Sequence, residues 1–386
     1  MDLGLLALIC AAALLGPALS LLSRGVLPAI VGQLLAGVLL GQTLFGVVDP
    51  ARPGLTLLYD VGFATLMFTV GMHIPLHDDR LRAALGAGAR ATLVAIPLAL
   101  VAGELCHLAG TGPALVYAVV IVSSSAAVAL PVIQENRLEG SPNVMAAMAW
   151  ITIADVVATL AIPLALTPGR ALHAAGGALI VAACVAALAF AASRVRGSAL
   201  VAHIRHESKK RGWAIDLRVA LVALVGLSYL ALQVGASLLV AGFGVGLVVG
   251  WIGGPKRLSH EVLGLGQGFF VPVFFVLLGA HLDLRALGHD GRAVLLALLL
   301  AAGTVAVHLI TSRVLRTPPA IGLLASAQIG VPAAVIALGL PSGAIDQGQA
   351  SAIFCAALIS IGVCAAGAAI LRRTRAAEPA PAPPDY

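Results

Sequence analysis

Thirteen apolar stretches, each about long enough to cross a bilayer as a helix, succeed one another along the chain and leave little of it for anything else. They run approximately over 3–22, 27–45, 55–76, 82–108, 113–134, 141–166, 171–194, 213–232, 235–252, 260–282, 291–312, 318–340 and 349–371. Of 386 residues 60% are hydrophobic and 10% charged, against roughly 25% charged in soluble domains, so the apolar surface exceeds what one globular core can hide. The expected fold class is therefore an all-α polytopic membrane protein of about 13 transmembrane helices. The first stretch follows only Met1 and Asp2, without the basic region of a cleaved secretory signal, and reads as a true span.

The placement of Lys and Arg sets the topology. With the N-terminus outside, 18 of them fall inside and 4 outside, Arg90 lying within the fourth stretch. The basic loop after the seventh stretch supplies 7 of the 18, and the others still divide 11 to 4. A cell (inner) membrane with the N-terminus outside and the C-terminus cytoplasmic is the expectation. The net charge of +6 thus orients the chain in the lipid bilayer, and no nucleic-acid partner is implied. Cys10, Cys106, Cys184, Cys355 and Cys364 all lie in apolar runs without CxxC spacing, so they read as packing residues rather than a disulfide or transition-metal set. One transmembrane domain is expected over 1–375, followed by a disordered cytoplasmic tail over 376–386 (AAEPAPAPPDY).

Two stretches carry polar and helix-breaking residues at matching places in the two halves of the chain, the mark of inverted repeats with discontinuous helices. The fifth reads VIVSSSAAVALPVIQEN, with Ser123, Ser124 and Ser125 in mid-segment and Pro131 behind them. The twelfth reads LLASAQIGVPAAVIALGLPS, with Ser326, Gln328, Gly330 and Pro332. Ser and Pro in one membrane helix need only mean hydroxyls bonded back to the preceding turn. Two symmetric breaks favour a polar site instead, because interrupted helices persist at membrane depth only where protein, water or an ion meets the freed backbone.

Between the breaks lies a carboxylate. The sixth stretch starts at Ser141-Pro142, and Asp155 follows about 21 Å along its helix, well inside the hydrocarbon. A charge there costs at least about 3 kcal/mol on insertion scales, which makes it a functional candidate by default. Thr152 and Thr159 share its helix face at i−3 and i+4 and offer hydroxyl oxygens. Desolvation favours a protonated carboxyl and an arriving cation the ionised one, so proton and cation compete for one oxygen pair. Exposed to one side at a time, such a site exchanges the two without a covalent step or a cofactor. His308 is a possible second titratable group, though by residue count it is shallower than Asp155.

These motifs resemble the sodium/hydrogen exchanger family, particularly its bacterial Kef-like and NapA-like members. The stretches that carry the likeness are RGVLPAIVGQLLAGVLLGQTLFG, GFATLMFTVGMHI, SSSAAVALPVIQEN, IADVVA and FFVPVFFVLLGAHLDL. The resemblance implies a dimerisation part and a core in which two broken helices cross, and a homodimer that works by movement of the core. It makes Asp155 the ion-binding aspartate and Ser124 and Ser125 the polar break of the first crossing helix. It also implies exchange of a monovalent cation (Na+ or K+) for H+. This chain departs from the family pattern at Ala154, where relatives often carry an acid, Asn or Gln. It departs at His308, where they often carry Lys or Arg, and at Ile329-Gly330-Val331, where Arg-Gly-Glu is common. The residues leave two other readings open: a sodium-coupled organic-solute symporter of similar fold, and a non-transporting or channel-like descendant. An intramembrane enzyme has no support, since there is no HExxH, no facing aspartate pair and no Ser with an evident His partner. The GFGVG of the ninth stretch reads as a close helix-packing motif.

Overall fold

The computed structural model describes residues 3–23, 29–50, 52–72, 79–109, 112–138, 141–166, 171–195, 198–234, 236, 238–252, 264–282, 284–285 and 291–377. These residues are helical with short connections, and no strand occurs among them. The first half contains α1 (Leu3–Ala13), α2 (Leu15–Leu22), α3 (Ala29–Leu40), α4 (Pro53–Met72), α5 (Asp79–Leu108), α6 (Ala114–Val122), α7 (Ala126–Glu135), α8 (Pro142–Leu166) and α9 (Ala171–Val195). The second contains α10 (Ala199–Arg211), α11 (Ile215–Gln233), α12 (Leu238–Ile252), α13 (Val271–His281), α14 (Gly291–Val314), α15 (Pro319–Ala325), α16 (Gly330–Ser342) and α17 (Gln347–Ala377). Among the described residues nine helical segments are individually long and apolar enough to cross a membrane, with the α1–α2 and α15–α16 pairs each taken as one segment. Shorter apolar helices lie at Ala29–Leu40, Leu238–Ile252 and Gly266–His281, the last entered through a π-helical turn.

Local chemistry explains where the elements stop. Pro17 has no N–H to give the carbonyl of Ala13, and the chain turns at Leu14 between α1 and α2. Pro53 and Pro142 each occupy the first helical position, where a missing donor costs nothing. The basic segment read from sequence as a loop is in fact a helix: the Ser198 hydroxyl accepts from the Val201 N–H at 3.2 Å, and Gly212 closes α10 at φ 68°. Lys and Arg are good helix formers, and their charge disguised a capped surface helix as a connector. The last helix runs through Ala377, so Ala376 and Ala377 of the expected tail are helical, and 378–386 lie outside the described residues.

Large side chains such as Leu93, Leu108, Leu179, Val222 and Tyr229 point outward, as a lipid-facing surface requires. The interior is closed by glycine-mediated helix contact. In GFGVG, Gly242 and Gly246 lie against the Ala64 and Phe68 carbonyls of α4, and Gly244 lies against Val185 of α9. Likewise Gly37 of α3 abuts the Val276 carbonyl of α13, while Gly279 of α13 abuts the Leu34 carbonyl. A side chain at either position would meet main chain that cannot rotate away. Gly37→Val is therefore expected to cost about 1–3 kcal/mol or more by overpacking, read as a lower melting temperature and less monodisperse protein in detergent.

Candidate ion-binding site

Two helices are interrupted and cross at one place. The α6–α7 helix is non-helical over Ser123, Ser124 and Ser125, and the α15–α16 helix over Ser326 to Ile329. The two breaks begin alike: the Ser123 hydroxyl donates to Val120 O at 2.7 Å and the Ser326 hydroxyl to Leu323 O at 2.8 Å. Each hydroxyl adds a second bond to a carbonyl of the ending helix that also accepts from the same serine's backbone N–H. Pro131 does not form the first break as expected; it lies within α7, six residues after Ser125, the last residue of the gap. The break falls on the serines, of which Ser123 bonds back to Val120 O and Ser124 bonds across to Ala325 O. Gly330 and Pro332 stand in the first turn of α16, where Pro has no intrahelical donor to lose, and Gln328 lies in the break itself.

The crossing is held by reciprocal bonds. Ser124 Oγ donates to the carbonyl of Ala325, the last residue of α15, at 2.6 Å. In return Gln328 Nε2 donates to the carbonyl of Ile121, in the last turn of α6, at 3.3 Å. Each break thus caps the first half of the other helix. Gln328 Nε2 also reaches Thr304 Oγ1 of α14 at 3.2 Å, and its backbone N–H donates to Ser360 Oγ of α17 at 3.0 Å. All of these side chains are buried.

Helix α8 packs against all four half-helices and delivers Asp155. The carboxylate, 8% exposed, lies beside the backbone N–H of Ala126, the first residue of α7. It therefore stands near a half-helix N-terminus, the end of the helix dipole that attracts anions. Thr152 and Thr159 are buried on the same helix; the Thr152 hydroxyl donates to Met148 O at 2.8 Å, which leaves its oxygen free only to accept. A carboxylate and two hydroxyl oxygens are hard donors of the kind that suit a small cation more than a soft metal.

His308, fully buried, also reaches the crossing. Its Nδ1 donates to Thr304 O at 2.8 Å, since a carbonyl can only accept, and its Nε2 lies 3.4 Å from Ser124 Oγ. Its ring stacks on Trp150 of α8, with centroids 5.2 Å apart. Sequence alone shows no Ser with a His partner, because Ser124 and His308 are 184 residues apart and only the crossing brings them together. The pair is not a nucleophile and base: the serine proton is committed to the Ala325 carbonyl in a buried, structural bond. Trp150, Thr304 and Ser360 went unnoticed in the sequence. Trp150 had a signal, a large aromatic away from the interfacial belt and five residues before the intramembrane acid, and Thr304 stands one turn before His308.

Two broken helices crossing beside a buried aspartate, inside an all-helical membrane fold, define an ion-transport type of architecture. The fold matches a solved sodium proton antiporter, MjNhaP1 from Methanocaldococcus jannaschii, with TM-score 0.67 over 97% of this chain and 99% of that one at 17% identity. Curated relatives include an Na(+)/H(+) antiporter of Enterococcus hirae, 27% identical over 308 residues, which are 78% of each chain. A protein of Bacillus subtilis called a putative Na(+)/H(+) antiporter is 23% identical over 360 residues, 86% of this chain and 57% of the relative. The family model for the sodium/hydrogen exchanger transmembrane region matches residues 9–371, and the chain belongs to that family.

Proposed function

We propose that this protein exchanges a monovalent cation for a proton, the two competing for the Asp155 carboxylate. The observation that carries the reading is that carboxylate's place: buried, on the helix that touches all four half-helices, at the N-terminus of one of them. A group there is reached from either side only as the crossing helices move, which makes alternating access the natural cycle. Sodium is the first ion to test, given what the relatives are called, and potassium the second. The same reading takes the N-terminus as external, the C-terminus as cytoplasmic and the working unit as a homodimer in a cell (inner) membrane.

Sodium or potassium added to proteoliposomes with a preset proton gradient is expected to collapse it. Intact, folded protein that leaves the gradient standing with both ions would overturn the proposal.

The charge count predicts stoichiometry. The carboxyl is neutral with a proton bound and neutral overall with a monovalent cation bound, so one cation crosses for one proton and no net charge moves. The exchange rate is therefore expected to be unchanged when the membrane potential is clamped. Current generated during exchange would require a second carrier, and His308, whose Nε2 lies 3.4 Å from Ser124 Oγ, is the group to substitute first.

A further inference from the structure

An open groove of about 340 Å³ lies between α9, α10, α11 and α12, remote from the crossing. Leu188 and Val195 of α9, Ile204 of α10, Val219 of α11, and Val248 and Ile252 of α12 are among its walls. On α12 the lining runs from Val245 to Ile252, about 10 Å of depth measured along the helix. The groove is apolar within and charged at one end, where Arg205 Nε lies 3.1 Å from Asp216 Oδ1.

We infer that this groove binds one acyl chain of an anionic phospholipid, with the headgroup phosphate held by the cations of α10. The inner face of α10 supplies the seat: Val201, Ile204, Arg205 and Ser208 recur at i, i+3, i+4 and i+7. The first three line the groove, and the buried Ser208 hydroxyl accepts from the Ile215 N–H at 3.1 Å, fixing α10 to α11. The rim is basic. Residues 199–218 carry Arg205, Lys209, Lys210, Arg211 and Arg218 against only Glu207 and Asp216. Trp213 is 42% exposed with the Arg211 guanidinium 5.0 Å over its ring, the pairing of aromatic and cation that marks a headgroup region. A long apolar slot ending at a basic, aromatic rim matches a lipid tail and an anionic headgroup together. A second copy of the chain is the poorer occupant, because a twofold contact through this patch would set one basic rim against its own copy.

With the orientation proposed above, the basic end of the groove faces the cytoplasmic leaflet; the lipid site itself does not rest on that orientation. Native mass spectrometry of the purified full chain, offered phosphatidylglycerol and phosphatidylethanolamine, tests the site without any transport assay. The wild type is expected to retain phosphatidylglycerol preferentially. Replacing both Arg205 and Lys210 by Gln should cut that retention by more than tenfold, at about fivefold per cation. Ala223→Phe, which fills the groove, should remove retention of both lipids. A photoreactive phosphatidylglycerol on wild-type protein should label the segments 188–195 and 215–223, which keeps the test independent of how the variants fold. Equal retention of the two lipids, or labelling elsewhere, would overturn the inference. So would an Ala223→Phe protein that changes oligomeric state but keeps its lipid, which would assign the groove to a second copy. Labelling of Lys210→Cys from outside intact cells would overturn the cytoplasmic placement alone.

Discussion

Asp155→Asn is expected to hold a preset proton gradient intact when sodium is added, under conditions where the wild-type protein dissipates it. The substitution is nearly isosteric, and the amide oxygen can take the carboxylate oxygen's place beside the Ala126 N–H. What disappears is the exchangeable proton and the negative charge. An uncompensated charge at this depth costs at least about 3 kcal/mol, which corresponds to a loss of about 100-fold or more in cation affinity. The same arithmetic gives a control: removing a buried charge should leave the melting temperature of the variant no lower than that of the wild type. A protein that melts normally and does not exchange isolates the carrier function of the carboxylate. Asp155→Asn exchanging within about tenfold of wild type would move the competition of ion and proton to another group.

The elements of this fold that lie in lipid were readable because the bilayer imposes a length and an apolarity that composition records directly. Asp155 was readable for the same reason, as a carboxylate in hydrocarbon advertises itself. Both breaks were visible in Ser123–Ser125 and Gln328, where polar groups interrupt apolar runs in corresponding places. Their partners were not visible. The bonds from Ser124 to Ala325 and from Gln328 to Ile121 each join residues about 200 positions apart, and no local pattern encodes which carbonyl a freed donor will find. Proline is a strong helix breaker in isolation, whereas here the helix ends upstream of Pro131, at Ser123, whose hydroxyl bonds back to Val120 O. The depth of His308, counted from a helix end, pointed away from the site. Residue counting ignores which face of α14 meets the crossing, and there His308 reaches Ser124 and Trp150. Helix α10 was missed because a charged surface helix has no span-length apolar run to betray it.

Gln328→Leu is expected to be the most destabilising single substitution at the crossing. Leucine keeps the bulk but donates nothing, so the Ile121 carbonyl at the end of α6 and the Thr304 hydroxyl both lose a partner within a buried region. Each buried orphan costs about 1–3 kcal/mol, and the two together lower stability by about 2–6 kcal/mol, read as a drop in the melting temperature of the detergent-purified protein. Ser124→Ala removes the donor to Ala325 and a long 3.4 Å contact with His308 Nε2, and should cost less. If the two bonds cap one shared crossing, their losses are coupled, and the double variant should depart from additivity by about 0.5–3 kcal/mol. Additive losses would mean that the two breaks are held separately. The effect on transport should separate Gln328 from Asp155 as well. Gln328 bonds to Ile121, Thr304 and Ser360, all parts of the scaffold. Its loss should therefore slow maximal exchange while leaving the apparent cation affinity near the wild-type value. A large fall in affinity with an unchanged maximal rate would place Gln328 among the ion ligands instead, and would shift the site from the N-terminus of α7 toward the second break.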